Sequence, residues 1–117
     1  SVTSIGNYAF SDCTSLASVN FGDGSKLNSI GSYTFYMCSS LASITIPSSV
    51  TSIGNYAFSD CTSLASVYYE GTEDSKNNIS IGSNAFYRCP SSLTWYYYSE
   101  TEASGCWHYV DGVPTLW

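Results

Sequence analysis

The fold of this chain is decided by residues 30–50, IGSYTFYMCSSLASITIPSSV, because the pattern of this stretch recurs along the sequence. Residues 1–19, SVTSIGNYAFSDCTSLASV, return letter for letter as residues 49–67. A more divergent copy, ISIGSNAFYRCPSSLTWYYY, occupies residues 79–98. Tandem units of roughly 20–45 residues are typical of solenoids, in which each unit packs only against its neighbours. The sequence therefore predicts a solenoid of about four coils.

One half of every repeat has the form L-x-x-L-x-L, and its last three positions alternate with period two. This alternation is typical of short strands with one buried face. We expect four parallel strands in one sheet, near residues 17–21, 42–46, 65–69 and 94–98.

The other half of each repeat reads Ile-Gly-x-x-(Ala/Thr)-Phe, with apolar residues at i, i+4 and i+5. This spacing predicts one or two helical turns on the opposite side of the coil. The glycine is expected to supply the backbone freedom needed to enter that turn. The fold class predicted is an α/β solenoid, with the parallel sheet on its concave face and short helical turns on its convex face. Its coils span about residues 1–26, 27–49, 50–78 and 79–98.

Two columns of equivalent residues are predicted to form the core. The cysteines of the repeat lie more than 20 residues apart, which matches no zinc-binding spacing. Stacked coils place equivalent residues about 4.8 Å apart with parallel side chains, whereas a disulfide needs converging β-carbons about 3.8 Å apart. We therefore expect buried free thiols beside a column of phenylalanines. The predicted core residues are Phe10, Phe35, Phe58 and Phe86, with Cys13, Cys38, Cys61 and Cys89.

The charge balance argues against two classes of partner. The chain has a net charge of −6, a pI near 4.2 and only three basic residues. Nucleic acids and anionic membranes are both recognised through lysine and arginine, so neither is expected as a partner. No apolar run approaches the roughly 20 residues of a transmembrane helix.

No catalytic, cofactor or metal site is predicted. His108 is the only histidine, and no G-x-S-x-G motif accompanies the many serines. Asp23, Glu73 and Asp74 lie in loops after the strands, but their spacing is not that of a calcium loop. We therefore expect a protein that is not an enzyme.

The outward face of the predicted strands is the candidate binding surface. Its two columns are Ser18, Ser43, Ser66 and Trp95, and Asn20, Thr45, Tyr68 and Tyr97. Rigid aromatic rings with polar groups are frequent binding hot spots. The candidate partner-binding residues are Tyr68, Trp95, Tyr97, Asn20 and Thr45. The alternative is that the C-terminal tail covers the aromatic residues among them. A further column, Tyr8, Tyr33 and Tyr56, is expected to stack on the convex side.

The tail, residues 99–117, is the segment that the repeat does not explain. Two β-prone runs flank Asp111-Gly112, a pair that favours a two-residue hairpin turn. Pro114 cannot donate a ladder hydrogen bond, which places its strand at a sheet edge. We expect this hairpin to cap the C-terminal coil, mainly through Trp107 and Trp117.

The unit I-G-x-x-A-F-x-x-C-x-x-L-x-x-I-x-I-P-x-x-V resembles the leucine-rich repeat of the BspA-like, or Treponema pallidum-type, family. The second coil, from Ile30 to Val50, is nearly a consensus example, and the resemblance covers residues 1 to about 98. The tail is similar to the ends of repeat surface proteins from gut-dwelling Firmicutes. The resemblance implies a right-handed leucine-rich-repeat solenoid without catalytic residues. The sequence begins inside a repeat with no polar capping segment before it, so we expect the chain to be the C-terminal part of a longer array.

Such proteins are implied to be secreted or attached to the bacterial cell surface. The function expected from the resemblance is adhesion, through a protein partner on a host or a neighbouring bacterium. One alternative is a carbohydrate-binding module in which Tyr68, Trp95 and Tyr97 stack on sugar rings. The other is an architectural spacer that presents a neighbouring domain.

Overall fold

The computed structural model describes residues 2–22 and 24–117, so the predicted loop carboxylate Asp23 lies outside the described residues. The elements in chain order are β1 (Ser4–Ile5), β2 (Ser29–Ile30), β3 (Ser43–Ile46), β4 (Ser52–Ile53), β5 (Ser66–Tyr69), α1 (Glu73–Lys76), β6 (Ser80–Ile81), β7 (Thr94–Tyr98), β8 (Cys106–Val110) and β9 (Val113–Leu116). They form a β-solenoid of about four turns. A long sheet has the order β3-β5-β7-β8-β9, and a short sheet has the order β1-β2-β4-β6.

The long sheet confirms the parallel strands predicted for coils 2, 3 and 4. Ser43 is aligned with Ser66, and Ser66 with Thr94. In β3 and β5 every second residue is buried, because successive side chains of a strand point to opposite faces. The solenoid core lies on this buried side.

The strand predicted at residues 17–21 is wrong, since these residues form no β-strand. The Asn20 side chain accepts a hydrogen bond of 2.7 Å from the backbone N–H of Gly22. Such a local turn offers the backbone an alternative to a sheet ladder. Coil 1 therefore packs on the core through Leu16, Val19 and Phe21 without joining the long sheet.

The short sheet was not predicted. It joins one Ser-Ile pair from each coil in parallel register, Ser4 with Ser29, Ser29 with Ser52, and Ser52 with Ser80. Two residues are too few to show a period in the sequence. The sheet exists because the coils stack, and it is visible only in three dimensions.

The predicted helical turns are replaced by successive β-turns. Tyr8, Tyr33 and Tyr56 have φ values of 63°, 57° and 58°, outside the right-handed helical region. The N–H of Phe35 donates to Ala57 O at 2.8 Å, and that of Phe58 donates to Ala85 O at 2.7 Å. A helix would use these N–H groups within its own segment. Here they bind the next coil instead, and α1 is the only helix among the described residues.

The repeated glycine is required for close approach between coils. The φ of Gly54 is not positive, so the expected need for backbone freedom is wrong. A β-carbon on Gly54 would lie 2.4 Å from Ser32 N, and one on Gly82 would lie 2.3 Å from Asn55 Oδ1. Side chains at these positions would push adjacent coils apart.

The phenylalanine column stacks along the whole solenoid, with ring centroids 5.5, 5.2 and 5.2 Å apart. Phe35 and Phe58 are fully buried, whereas Phe86 is half-buried against the core. Placing Phe10 in the core is wrong, because its side chain is 41% exposed. Its ring has a neighbour only on the Phe35 side among the described residues.

The cysteine column is linked by thiol hydrogen bonds. The thiols of Cys38, Cys61 and Cys89 donate to the carbonyl oxygens of Phe10, Phe35 and Phe58, at 3.2, 3.1 and 3.1 Å. Cys38 and Cys61 are buried, Cys13 and Cys89 are half-buried, and all are free thiols. Burial raises the pKa of the Cys61 thiol to about 12, and the pKa values of Cys38 and Cys89 to about 11.

The tyrosine column is confirmed as stacking between coils. Tyr8 and Tyr33 lie 4.8 Å apart with an interplanar angle of 5°, and Tyr33 and Tyr56 lie 5.0 Å apart at 11°. The column ends at Asn84, whose Nδ2 donates to the Tyr56 hydroxyl at 3.1 Å.

Candidate functional site

The strand of coil 4 is shifted by one residue from its expected alignment. Trp95 pairs with Val67 and Tyr97 with Tyr69, both of which are buried. The rings of Trp95 and Phe86 lie 6.0 Å apart, and Tyr97 also packs against the core. The prediction that Trp95 and Tyr97 face outward is therefore wrong. A one-residue shift moves every side chain of a strand to the other face.

The outward face instead holds an aromatic cluster made of Tyr68, Tyr96, Tyr98, Trp107 and Tyr109. Trp107 lies at its centre, with ring centroids 5.5 Å from Tyr68, 5.2 Å from Tyr98 and 4.8 Å from Tyr109. These three contacts are edge-to-face, an arrangement that aromatic quadrupoles favour. Tyr68 belongs to the candidate set, and the structure places it beneath the hairpin.

The tail forms the hairpin that the Asp-Gly pair predicts. β8 and β9 are antiparallel, and Asp111 and Gly112 have φ values of 51° and 79°. Both central residues of a type I′ turn require positive φ. β9 lies at the edge of the long sheet, where Pro114 was expected.

The hairpin is fixed to the solenoid chiefly at its base. β8 runs parallel to the end of β7, pairing Tyr98 with Trp107. Trp107 is completely buried, and its Nε1 donates to Tyr69 O at 2.8 Å. Trp117 is 41% exposed and stacks on His108, so it is not the buried anchor that was expected.

A groove of about 630 Å³ lies between the hairpin and the first two coils. Three parts of the chain line it. They are a segment of coil 1, the outward residues of β3 together with the residue after β3, and the hairpin together with Glu70. The lining residues are Ser18, Val19, Asn20, Phe21, Gly22, Ser43, Thr45, Pro47, Glu70, Tyr109, Gly112, Val113 and Pro114. The volume falls within the range of about 300–1,000 Å³ common for ligand clefts.

The groove joins a polar floor to an apolar wall. Ser18, Ser43 and Thr45 bring hydroxyl groups that can both donate and accept hydrogen bonds. Val113 and Pro114 supply apolar surface, and Val113 is 60% exposed. The Tyr109 hydroxyl donates to Glu70 Oε2 at 2.5 Å, which joins the hairpin to the end of β5.

Two of the five candidate residues, Asn20 and Thr45, line this groove. Sequence reasoning missed Glu70, Tyr109 and the hairpin residues beside them. The alternation of Trp107 and Tyr109 along β8 indicates that they share a face. The sequence contains no signal that this face folds over the sheet.

Within residues 2–22 and 24–117, no group of three or more His, Cys, Asp or Glu side chains is arranged to hold a metal ion. No helix of the described chain is long and apolar enough to cross a membrane.

The repeat geometry agrees with a comparison against protein families. The model of the BspA type leucine-rich repeat region matches residues 1–104, with six copies of the repeat. The chain belongs to this family of leucine-rich-repeat proteins. A search of curated proteins and a search of solved structures returned no match.

Proposed function

We propose that the chain is a non-enzymatic protein-binding module of a secreted or cell-surface protein, and that it acts in adhesion. The groove between coil 1 and the hairpin carries the proposal. It combines hydroxyl groups with an apolar wall. Protein–protein interfaces likewise combine apolar area with groups that form hydrogen bonds. Membership in the BspA-type family supports a role in protein interaction and at the cell surface.

A glycan-binding role has less support. This alternative requires Tyr68, Trp95 and Tyr97 to form an exposed stacking platform. Trp95 and Tyr97 pack on the core, and Tyr68 lies against Trp107. Sugar stacking requires an accessible ring face, so the residues on which this alternative depends are poorly placed for it.

Binding of the labelled protein to host and bacterial cells tests the proposal. Treating the cells with protease should abolish binding, whereas removing surface glycans should leave it unchanged. Thr45→Trp places a bulky uncharged ring in the groove and should abolish binding as well. Thr62→Trp is the matched control, because Thr62 is exposed and lies outside the groove lining.

Three results would contradict the proposal. Binding that survives protease but not glycan removal would favour the glycan alternative. Equal binding by the two tryptophan variants would exclude the groove as the site. Absence of binding to every cell type would favour the architectural spacer.

A further inference from the structure

The groove contains a negative charge, and no lysine or arginine of the described chain lines it. Glu70 is part of the lining, and Asp111 precedes the lining residue Gly112 at the hairpin tip. Two of the three basic side chains are engaged elsewhere. Lys76 lies 5.1 Å from the Trp95 ring, and Arg88 Nη1 lies 3.7 Å from Asp60.

Glu70 is held in a defined position. Its Oε2 accepts the Tyr109 hydroxyl, and its backbone N–H donates to Ile46 O at 2.9 Å. A carboxylate has about four lone-pair sites, so the hydroxyl leaves capacity for a cationic donor. Hydrogen bonds to an ionised group are stronger than neutral ones and more directional in bidentate arginine pairs.

The net charge of −6 adds a long-range attraction for cationic partners. Complementary charge at an interface increases the association rate and discriminates among partners. The hydroxyl groups of Ser18, Ser43 and Thr45 can bind the backbone of an extended segment. Val113 and Pro114 can cover an apolar side chain next to the cationic one.

We propose that the groove binds an extended segment of a protein partner in which a lysine or arginine lies beside an apolar residue. Glu70 receives the cationic group, and Tyr109 positions the Glu70 carboxylate. This inference rests on the proposed function and specifies the chemistry of the partner.

Selection of short random displayed peptides on the immobilised protein tests the inference. Counter-selection on the Thr45→Trp variant retains the peptides that need the groove. These peptides should be enriched in lysine or arginine beside an apolar residue. Glu70→Gln should weaken their binding about fivefold, the scale of a partly exposed ion pair. Glu102→Gln should leave their affinity unchanged, since Glu102 is exposed and outside the lining.

The outcomes separate this inference from the proposed function. Groove-dependent peptides without basic residues, or with equal affinity for Glu70→Gln, would overturn the inference alone. Peptides that all bind the Thr45→Trp variant as well as the original protein would overturn the groove as a protein-binding site. Affinity that falls as salt concentration rises would support the charge pairing.

Discussion

The side chains of this solenoid make many of their stabilising contacts with residues of the adjacent coil. Three cysteine thiols donate to a phenylalanine carbonyl of the preceding coil, and the rings of the phenylalanine column stack between adjacent coils. A glycine such as Gly54, which precedes the turn, leaves room for the backbone of the adjacent coil, because a β-carbon there would clash with it. A repeat position is therefore restricted by its neighbours on both sides.

Gly54→Ala should destabilise the protein by about 3 kcal/mol, the upper part of the range for overpacking. The added β-carbon would lie 2.4 Å from a backbone nitrogen, which cannot rotate away as a side chain can. Gly6→Ala is the control, because nothing lies within 4 Å of its added β-carbon. Urea unfolding of both variants measures the difference, and equal stability would contradict the close-approach role.

The buried thiols should make stability depend on alkaline pH. The folded pKa of Cys61 is about 12, above its ordinary value of 9.0, so the folded state retains a proton that the unfolded state loses. The free energy of unfolding should therefore keep its full Cys61 contribution below pH 9 and should decrease as the pH rises toward 12. Unfolding free energies from pH 8 to 10.5 test this. Cys61→Ala should show a shallower decline, and an unchanged slope would refute the linkage.

The hairpin is the element that departs most from the repeat, because its two strands are antiparallel whereas the strands of the coils are parallel. It extends the long sheet beyond coil 4 and covers the aromatic cluster on the outward face. Its tip forms one wall of the groove opposite coil 1. The hairpin is thus part of the candidate site, and its role as a cap of the C-terminal coil stays a prediction.

Trp107→Ala should cost about 3–5 kcal/mol, as expected for loss of a fully buried aromatic side chain. Trp117→Ala should cost clearly less, because the Trp117 side chain is 41% exposed. Thermal unfolding of the two variants provides the comparison. A larger loss for Trp117→Ala would mean that the hairpin is anchored through the end of β9 and not through Trp107 of β8.

At the scale of the whole molecule, identical sequences occupy unlike environments. Residues 1–19 and 49–67 are the same, yet only the second copy lies between two described coils. Val67 is fully buried in β5, whereas Val19 is half-buried outside any strand. Position in the stack therefore decides how much of a repeat is core.

Phe58→Ala and Phe10→Ala test this directly, since the two residues have the same flanking sequence. Phe58→Ala should cost about 3–5 kcal/mol, because Phe58 is fully buried. Phe10→Ala should cost less than half as much, because its side chain is 41% exposed. Chemical denaturation measures both losses, and equal values would show that exposure does not govern them.

The repeat pattern was sufficient to predict the solenoid, the parallel strands β3, β5 and β7, and the stacked columns of side chains. These features follow from local alternation and from the recurrence of apolar residues. The Asp111-Gly112 pair likewise predicts its own turn, because positive φ is a local requirement. The same alternation placed Thr45 on the outward face of its strand, whereas Asn20 was assigned to that face through a strand that does not form.

The tertiary structure alone decided the features that depend on neighbouring coils. The turns replace helices because their N–H groups bind the next coil. The side of the sheet on which Trp95 lies depends on the register of β7 against β5, which the sequence of coil 4 does not specify. The groove exists because the hairpin folds back over the long sheet. The copies at residues 1–19 and 49–67 share every local preference, so their different burial comes from the coils packed against them.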